Sequence, residues 1–343
     1  MAADWQVNPA DCGRKYEGVN TMIYDGKPAE EYAWPWQVAL FEKGQPVCGG
    51  SLIDPWWIMT AAHCVDTNLL CQPESYTFKV GSKNLTGHTP VSQERKAIDI
   101  LVHPGYHLAD DGDFDNDIAL FKMSEPFTLS KDYKVNTICL PTEDMDDRFS
   151  VGQDAYVTGW GLLTGGDGKI VDFPDTLQEA VVPLYDLAKC NQSWNSIITE
   201  NMICAGIDDG ADACQGDSGG PLVAYPSNDT SQFYEIGIVS WGAIDCGRTK
   251  FPGIYTRVTR YEEWIKSALK NTTQLSYVGC GYGIGTQGMP TSAIAAISVL
   301  SASSSKLNKR ALFPFGYCPS GNLFGILVAV FDPRAVDRGM VRC

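Results

Sequence analysis

The sequence predicts an all-β protein. Most of residues 34–260 consists of short apolar runs, and Gly, Pro, Asn and Asp punctuate them. One segment alone has good helical spacing. Short runs separated by turn formers are what closed or sandwiched antiparallel sheets require.

Taken in order, the runs are Trp36–Phe41 (WQVALF), Ser51–Ala61 (SLIDPWWIMTA), Tyr76–Val80 (YTFKV) and Asp117–Met123 (DIALFKM). Asp154–Trp160 (DAYVTGW), Tyr234–Trp241 (YEIGIVSW) and Gly253–Val258 (GIYTRV) follow. Tyr261, Trp264, Ile265 and Ala268 then fall on one helical face, which predicts a helix over Tyr261–Lys270. Beyond it, residues 292–306 (SAIAAISVLSASSSK) and 322–331 (NLFGILVAVF) carry apolar runs shorter than the ~20 residues that span a bilayer.

With 343 residues, 44% of them hydrophobic, the chain can bury a large core in one or two domains. Twelve cysteines point to an oxidising compartment. The sequons at Asn84, Asn191, Asn228 and Asn271 fit secretion. The opening stretch MAADWQVNPADCGR has no apolar core and does not read as a signal peptide, so this N-terminus is expected to be incomplete. A formal charge of −15 argues against nucleic acid or an anionic membrane as the main partner.

The chemistry concentrates in GDSGGP, Gly216–Pro221. Ser218 is a candidate nucleophile, and a serine needs an adjacent base. His63 in TAAHC supplies one, and Asp117 in DNDIAL supplies a carboxylate to orient it. Gly216 leaves the backbone bare, so that its N–H and that of Ser218 can both face a developing oxyanion. Asp217 between them is expected to be a buried charge in need of a cation. Each residue alone has a bland reading, as a turn serine, a structural histidine or a capping aspartate. The order His63, Asp117, Ser218 decides against that, because it is one of the few orders in which triads occur.

From about Ile23 to Lys270 the chain resembles the trypsin/chymotrypsin-like serine endopeptidases. The resemblance runs through PWQVAL, CGGSLI, TAAHC, DNDIAL, TGWG, GDSGGP, IVSWG and PGIYTRV, in family order. It implies two six-stranded antiparallel barrels with the site in the cleft between them and the predicted helix closing the domain. Residues 1–22 would be a propeptide or extension, 23–270 the protease domain, and 271–343 an extension that matches nothing in the family. By resemblance, His63 is the general base, Asp117 orients it and Ser218 attacks. The family pattern pairs Cys12 with Cys139, Cys48 with Cys64, Cys190 with Cys204, and Cys214 with Cys246. Another family bridge would join positions that are both alanine here, Ala155 and Ala224. Cys71, Cys280, Cys318 and Cys343 remain, with every pairing among them open.

The resemblance also implies a specificity pocket with Asp212 at its floor, Gly242 and Gly253 in its walls, and Ala213, Ser240 and Trp241 bordering the substrate. A carboxylate in such a slot favours Arg or Lys, and Ala213 in place of the frequent serine leans towards Arg. Asp245, before the pocket cysteine, stands where trypsin has glycine, in a loop one residue longer, and puts that preference in question. The acidic loop with Asp110, Asp111, Asp113 and Asp115 has two readings, a solvated turn or a subsite for upstream basic residues. Ser82 and Ser92 replace the glutamates of the family's calcium loop, so neither metal nor cofactor is expected.

Activation in this family frees an N-terminus that pairs with the aspartate before the nucleophile, here Ile23 with Asp217. The residue before it is Met22, where the family has Arg or Lys. The leading expectation is a secreted endopeptidase acting after Arg or Lys. Its partners would be protein substrates, inhibitors and an activating protease, with no membrane span. A protease-fold binding protein that never matures and a chymotrypsin-like specificity stay open beside it.

Overall fold

The computed structural model describes residues 8–18, 26–106, 114–163, 173–206, 212–243 and 251–270, together with the backbone of 340–342. Met22, Ile23, Asp110, Asp111, Asp113, Asp245, Cys246, Asn271, Cys280, Cys318 and Cys343 lie outside these residues.

After the two-residue strand β1 (Lys27–Pro28) come β2 (Gln37–Glu42), β3 (Gln45–Asp54), β4 (Trp57–Thr60), β5 (Tyr76–Val80), β6 (Gln93–Val102) and β7 (Ala119–Met123). These six close into a barrel in the order β2-β3-β4-β7-β6-β5. Lys43 and Gly44 join β2 to β3 with φ of 49° and 82°, the two left-handed residues that let a two-residue turn follow the twist of a hairpin. Leu40, Leu52, Ile58, Phe78, Ile100 and Phe121 fill the interior. The Phe121 ring lies 5.0 Å from that of Tyr76 and 4.9 Å from that of Phe78, in the inclined contacts that aromatic rings prefer.

The second half contributes β8 (Asp154–Gly159), β9 (Gln178–Tyr185), β10 (Met202–Ala205), β11 (Pro221–Ala224), β12 (Tyr234–Ala243) and β13 (Gly253–Arg257). The circuit β8-β9-β10-β13-β12-β11 closes where β11 pairs with β8. Two closed six-stranded barrels are therefore present, as expected. Strand β1 lies along β9, with Lys27 opposite Glu179. Met340–Arg342 form β14, antiparallel to Trp241–Ala243 of β12.

Val157 pairs with Leu222 and Tyr156 with Val223, so one step further along the register Ala155 faces Ala224. Both are fully buried in the second core, where a disulfide would otherwise cross. Three disulfides join Cys12 to Cys139, Cys48 to Cys64 and Cys190 to Cys204. Cys71 and Cys214 are also disulfide-bonded, to partners outside the described residues.

The helix expected over Tyr261–Lys270 begins one residue later, as α2 (Glu262–Lys270). Its forerunner Val258–Tyr261 winds as a 3-10 turn. A second helix, α1 (Leu187–Ser193), was not foreseen. It is too short to show a period. Its start is fixed by the Asp186 carboxylate, which accepts from the Lys189 N–H at 2.8 Å, and its body by the Cys190–Cys204 bridge.

Candidate active site

His63 lies in the 3-10 turn Ala62–Cys64 immediately after β4, and Cys64 is tied back to Cys48 on β3. Asp117 precedes β7, and β4 and β7 are paired neighbours. That neighbourhood brings the two side chains together. His63 N–H donates to Asp117 Oδ1 at 2.9 Å, and its ring Nδ1 lies 2.7 Å from Oδ2. A carboxylate can only accept, so the proton of this bond sits on Nδ1.

Two groups of the second barrel complete the surroundings of Asp117. Ser240 on β12 donates its hydroxyl to Oδ2 at 2.5 Å, and Thr256 on β13 donates to the Asp117 carbonyl at 2.8 Å. Burial pushes the Asp117 carboxyl up, but the facing His63 and the bonds from His63 and Ser240 outweigh it and hold the group below its ordinary value.

Ser218 is buried, in the turn that enters β11. Its carbonyl accepts from the Gly49 N–H at 2.8 Å, which ties the turn to β3. Gly219, at φ 74°, packs so closely that a Cβ would fall 2.0 Å from Thr60 Oγ1 and 3.1 Å from the Ala61 nitrogen. The serine turn thus rests on the backbone that leads into His63. Gly216, at φ 98°, has the ring of Phe173 where its Cβ would be, at 2.8 Å.

Asp217 lies in the serine turn, and Ile23, its expected partner after cleavage, is outside the described residues. Among the described residues its carboxylate meets two main-chain donors, Gly161 N–H at 2.7 Å and Cys214 N–H at 2.8 Å, and no cation. Burial still raises its pKa to about 6, against the pull of those bonds. The space it occupies exists because Gly159 and Gly161 lack side chains. A Cβ on either would lie 2.0 Å or 2.6 Å from the carboxyl group.

Asp212 accepts from the Ala213 N–H at 2.8 Å. A Cβ on Gly253 would stand 2.7 Å from Asp212 Oδ1, and one on Gly242 would reach 3.9 Å from the Gly253 Cα. The two glycines therefore face each other above the carboxylate. Trp241 is buried beside them, stacked on Phe114 at 5.1 Å and edge-on to Trp194 at 4.8 Å.

Asp115 is bound inward, as an acceptor from Thr199 Oγ1 at 2.6 Å and Asn201 Nδ2 at 2.9 Å. In the loop from Ser82 to Ser92, the Lys79 ammonium donates to the carbonyls of Leu85 (2.7 Å) and Gly87. Among the described residues the only His, Cys and carboxylate group close enough to share a metal is Cys48, His63 and Cys64, and its two sulfurs are bonded to each other. Of the sequons, Asn228 lies exposed in a turn, whereas Asn84 accepts from Thr176 at 3.1 Å and Asn191 from the Ile198 N–H at 3.0 Å.

A family profile named Trypsin matches residues 23–265. The chain belongs to the trypsin family of serine proteases. Within that family it is 42% identical over 267 residues to transmembrane protease serine 11G of Mus musculus, a match spanning 75% of this chain and 58% of the relative. It is 36% identical to kallikrein-8 of Homo sapiens, covering 72% of this chain and 86% of the relative. Against the length of the transmembrane relatives, from Mus musculus and Rattus norvegicus, the chain spans little more than half. Among solved structures, neuropsin, a serine protease expressed in the limbic system of mouse brain, superposes with a TM-score of 0.60 at 35% identity. That likeness covers 71% of this chain and 98% of neuropsin. None of the helices among the described residues is long and apolar enough to cross a membrane.

Proposed function

We propose that this trypsin-family chain is a serine endopeptidase that cleaves after Arg or Lys through an acyl-enzyme. The observation that carries the proposal is the His63–Asp117 pair, bonded at 2.7 Å through Nδ1 and set beside the Ser218 turn. Ser218 Oγ attacks the scissile carbonyl while His63 Nε2 takes its proton. Asp117, held ionised, stabilises the imidazolium. The N–H groups of Gly216 and Ser218 receive the oxyanion. His63 returns the proton to the leaving amine, and water repeats the sequence to release the acid.

Asp212 beneath the bare Gly242 and Gly253 supports the preference for a basic side chain. Ser240 and Trp241 border the same slot. Activation would require cleavage at Met22–Ile23, after which the Ile23 ammonium pairs with Asp217. The raised pKa of Asp217, about 6 without that partner, supports this reading. Secretion fits the disulfides, and Asn228 is the best-placed glycan acceptor among the described sequons. Protein substrates, protease inhibitors and an activator that cuts after apolar residues are the partners implied.

Labelling with a fluorophosphonate, before and after cleavage at Met22–Ile23, tests the enzyme against a protease-fold binding protein. Labelling of Ser218, lost in both Ser218→Ala and His63→Ala together with turnover of an Arg ester, is the expected outcome. Losses of roughly 10⁶ accompany such substitutions in comparable triads. More than about a tenth of the activity left in either variant would refute the triad.

A further inference from the structure

The segment before the proposed activation bond holds a cation that the chemistry above does not use. Lys15 directs its ammonium over the ring of Trp34, 3.4 Å from the centroid, with Phe233 at 4.6 Å and Tyr156 at 5.8 Å. Ring faces attract such a charge. Burial drives this ammonium down to about 7, and Glu179 pulls in the opposite direction. The Glu179 carboxylate is itself buried, accepting from Trp34 Nε1 at 2.6 Å and lying 3.5 Å from the Lys27 ammonium.

The backbone around Lys15 is bound as thoroughly. Gly13 donates to the Thr137 carbonyl at 2.8 Å and accepts from the Phe233 N–H at 2.9 Å. Asn136 Nδ2 donates to the carbonyls of Asp11 at 2.7 Å and Arg14 at 3.2 Å. Cys12 is bonded to Cys139. On the far side, the Tyr16 ring meets Tyr32 edge-on at 5.9 Å, under the Lys134 ammonium at 5.0 Å.

Arg14 and Lys15 are the only basic residues among residues 1–22, and the next one, Lys27, precedes Pro28. We infer that the Lys15 cage is a protective lock: it withholds the Arg14–Lys15 and Lys15–Tyr16 bonds from trypsin-like proteases, this enzyme included, and leaves processing to Met22–Ile23. In its purpose the lock rests on the activation proposed above; the resistance to cleavage does not.

A protease takes its substrate as an extended strand, with main-chain bonds to the cleft and one side chain in a pocket. For a cut after Lys15, that side chain is already housed in the cage. For a cut after Arg14, the scissile carbonyl is held by Asn136, both main-chain groups of Gly13 are taken, and Lys15 anchors the following residue. Either cut would expose Lys15 or Tyr16 as the new terminus, upstream of Ile23 and unable to supply its ammonium to Asp217.

The test uses the full chain carrying Ser218→Ala, so that only added trypsin cuts. Cleavage after residues 14 and 15 is followed by N-terminal sequencing and by mass after reduction. Free peptides of residues 8–18 with the same substitutions correct for the preference of trypsin. The locked chain is expected to be cut at least tenfold more slowly than its peptide. Lys15→Ala removes one of the two basic residues, yet is expected to speed cleavage after Arg14 by tenfold or more relative to its own peptide. Phe233→Leu, which thins the cage, is expected to do the same after Lys15. Cutting of the unaltered chain at the peptide rate overturns the lock. So does an unchanged rate in both variants once each is shown by its melting curve to be folded. Whether Met22–Ile23 cleavage yields activity is read separately in the Ser218 parent, so the two ideas fail independently.

Discussion

Ser240 donates its hydroxyl to Asp117 Oδ2, the same oxygen that faces the His63 ring. Ser240 lies on β12 of the second barrel and Asp117 leads into β7 of the first. One carboxylate oxygen thus joins the two halves at the point where His63 is oriented. A hydrogen bond to a charged acceptor contributes about 1.5–3 kcal/mol. Ser240→Ala is accordingly expected to lower kcat about tenfold or more and the melting temperature by several degrees, and Ser240→Thr, which keeps the hydroxyl, to restore much of both. An undiminished kcat would show that this hydroxyl does not help position the base.

Asp212→Ser should reverse the substrate preference. A charged side chain entering a buried slot without its counter-ion loses about 3–5 kcal/mol. The expected fall in kcat/KM on Arg and Lys esters is therefore between about a hundredfold and about five-thousandfold. Phe and Leu esters should change little. A preference profile that stays the same would mean that Asp212 does not lie at the floor of the pocket.

Met22→Arg should turn the chain into a zymogen that trypsin activates, because the residue before Ile23 then suits its pocket. Peptide-substrate activity after trypsin treatment, with the new N-terminus sequenced, is the measurement. Cleavage after residue 22 without gain of activity, or full activity before any cleavage, would rule out pairing of Ile23 with Asp217.

Glu235 gives the fold a pH dependence. It is fully buried on β12, and burial raises its pKa to about 8, with the Ser51 hydroxyl facing it without a well-formed bond. In the unfolded chain it ionises near the model-peptide value of about 4.3. Between these values the unfolded chain binds fewer protons, so stability falls as the pH rises from about 4 to about 8. Glu235→Gln removes this loss. Its melting temperature relative to the parent should be higher at pH 8 than at pH 5 by several degrees, given roughly 2–4 °C per kcal/mol in domains of this size. An equal difference at both pH values would show that Glu235 ionises as an ordinary surface glutamate does.

What was legible in the sequence was what repeats or what recurs in order. The alternating runs become strands of the two barrels, and Ile265 and Ala268 of the predicted helix are buried as its spacing requires. α1 escaped because its seven residues are held by one cap and one disulfide, neither of which leaves a period. The cation expected for Asp217 is the Ile23 ammonium, outside the described residues, but the two main-chain donors on its carboxylate are not marked by any motif. Its two amides come from Gly161 and Cys214, brought in by the fold, one of them from more than fifty positions away. Asp115 reads from the sequence as solvent-facing or substrate-facing, while its partners Thr199 and Asn201 stand in the turn before β10 of the other barrel. The cage of Lys15 draws on residues as distant as Phe233, a separation no local pattern records.

The bridge from Cys12 to Cys139 changes what kind of equilibrium the leader obeys. If the chain is cut at Met22–Ile23 as proposed, the segment before the cut would remain a tethered ligand of its own enzyme. A short tether supplies an effective concentration in the millimolar range. Occupancy of the Trp34 and Phe233 faces by Lys15 is then set within one molecule, and diluting the protein does not lower it.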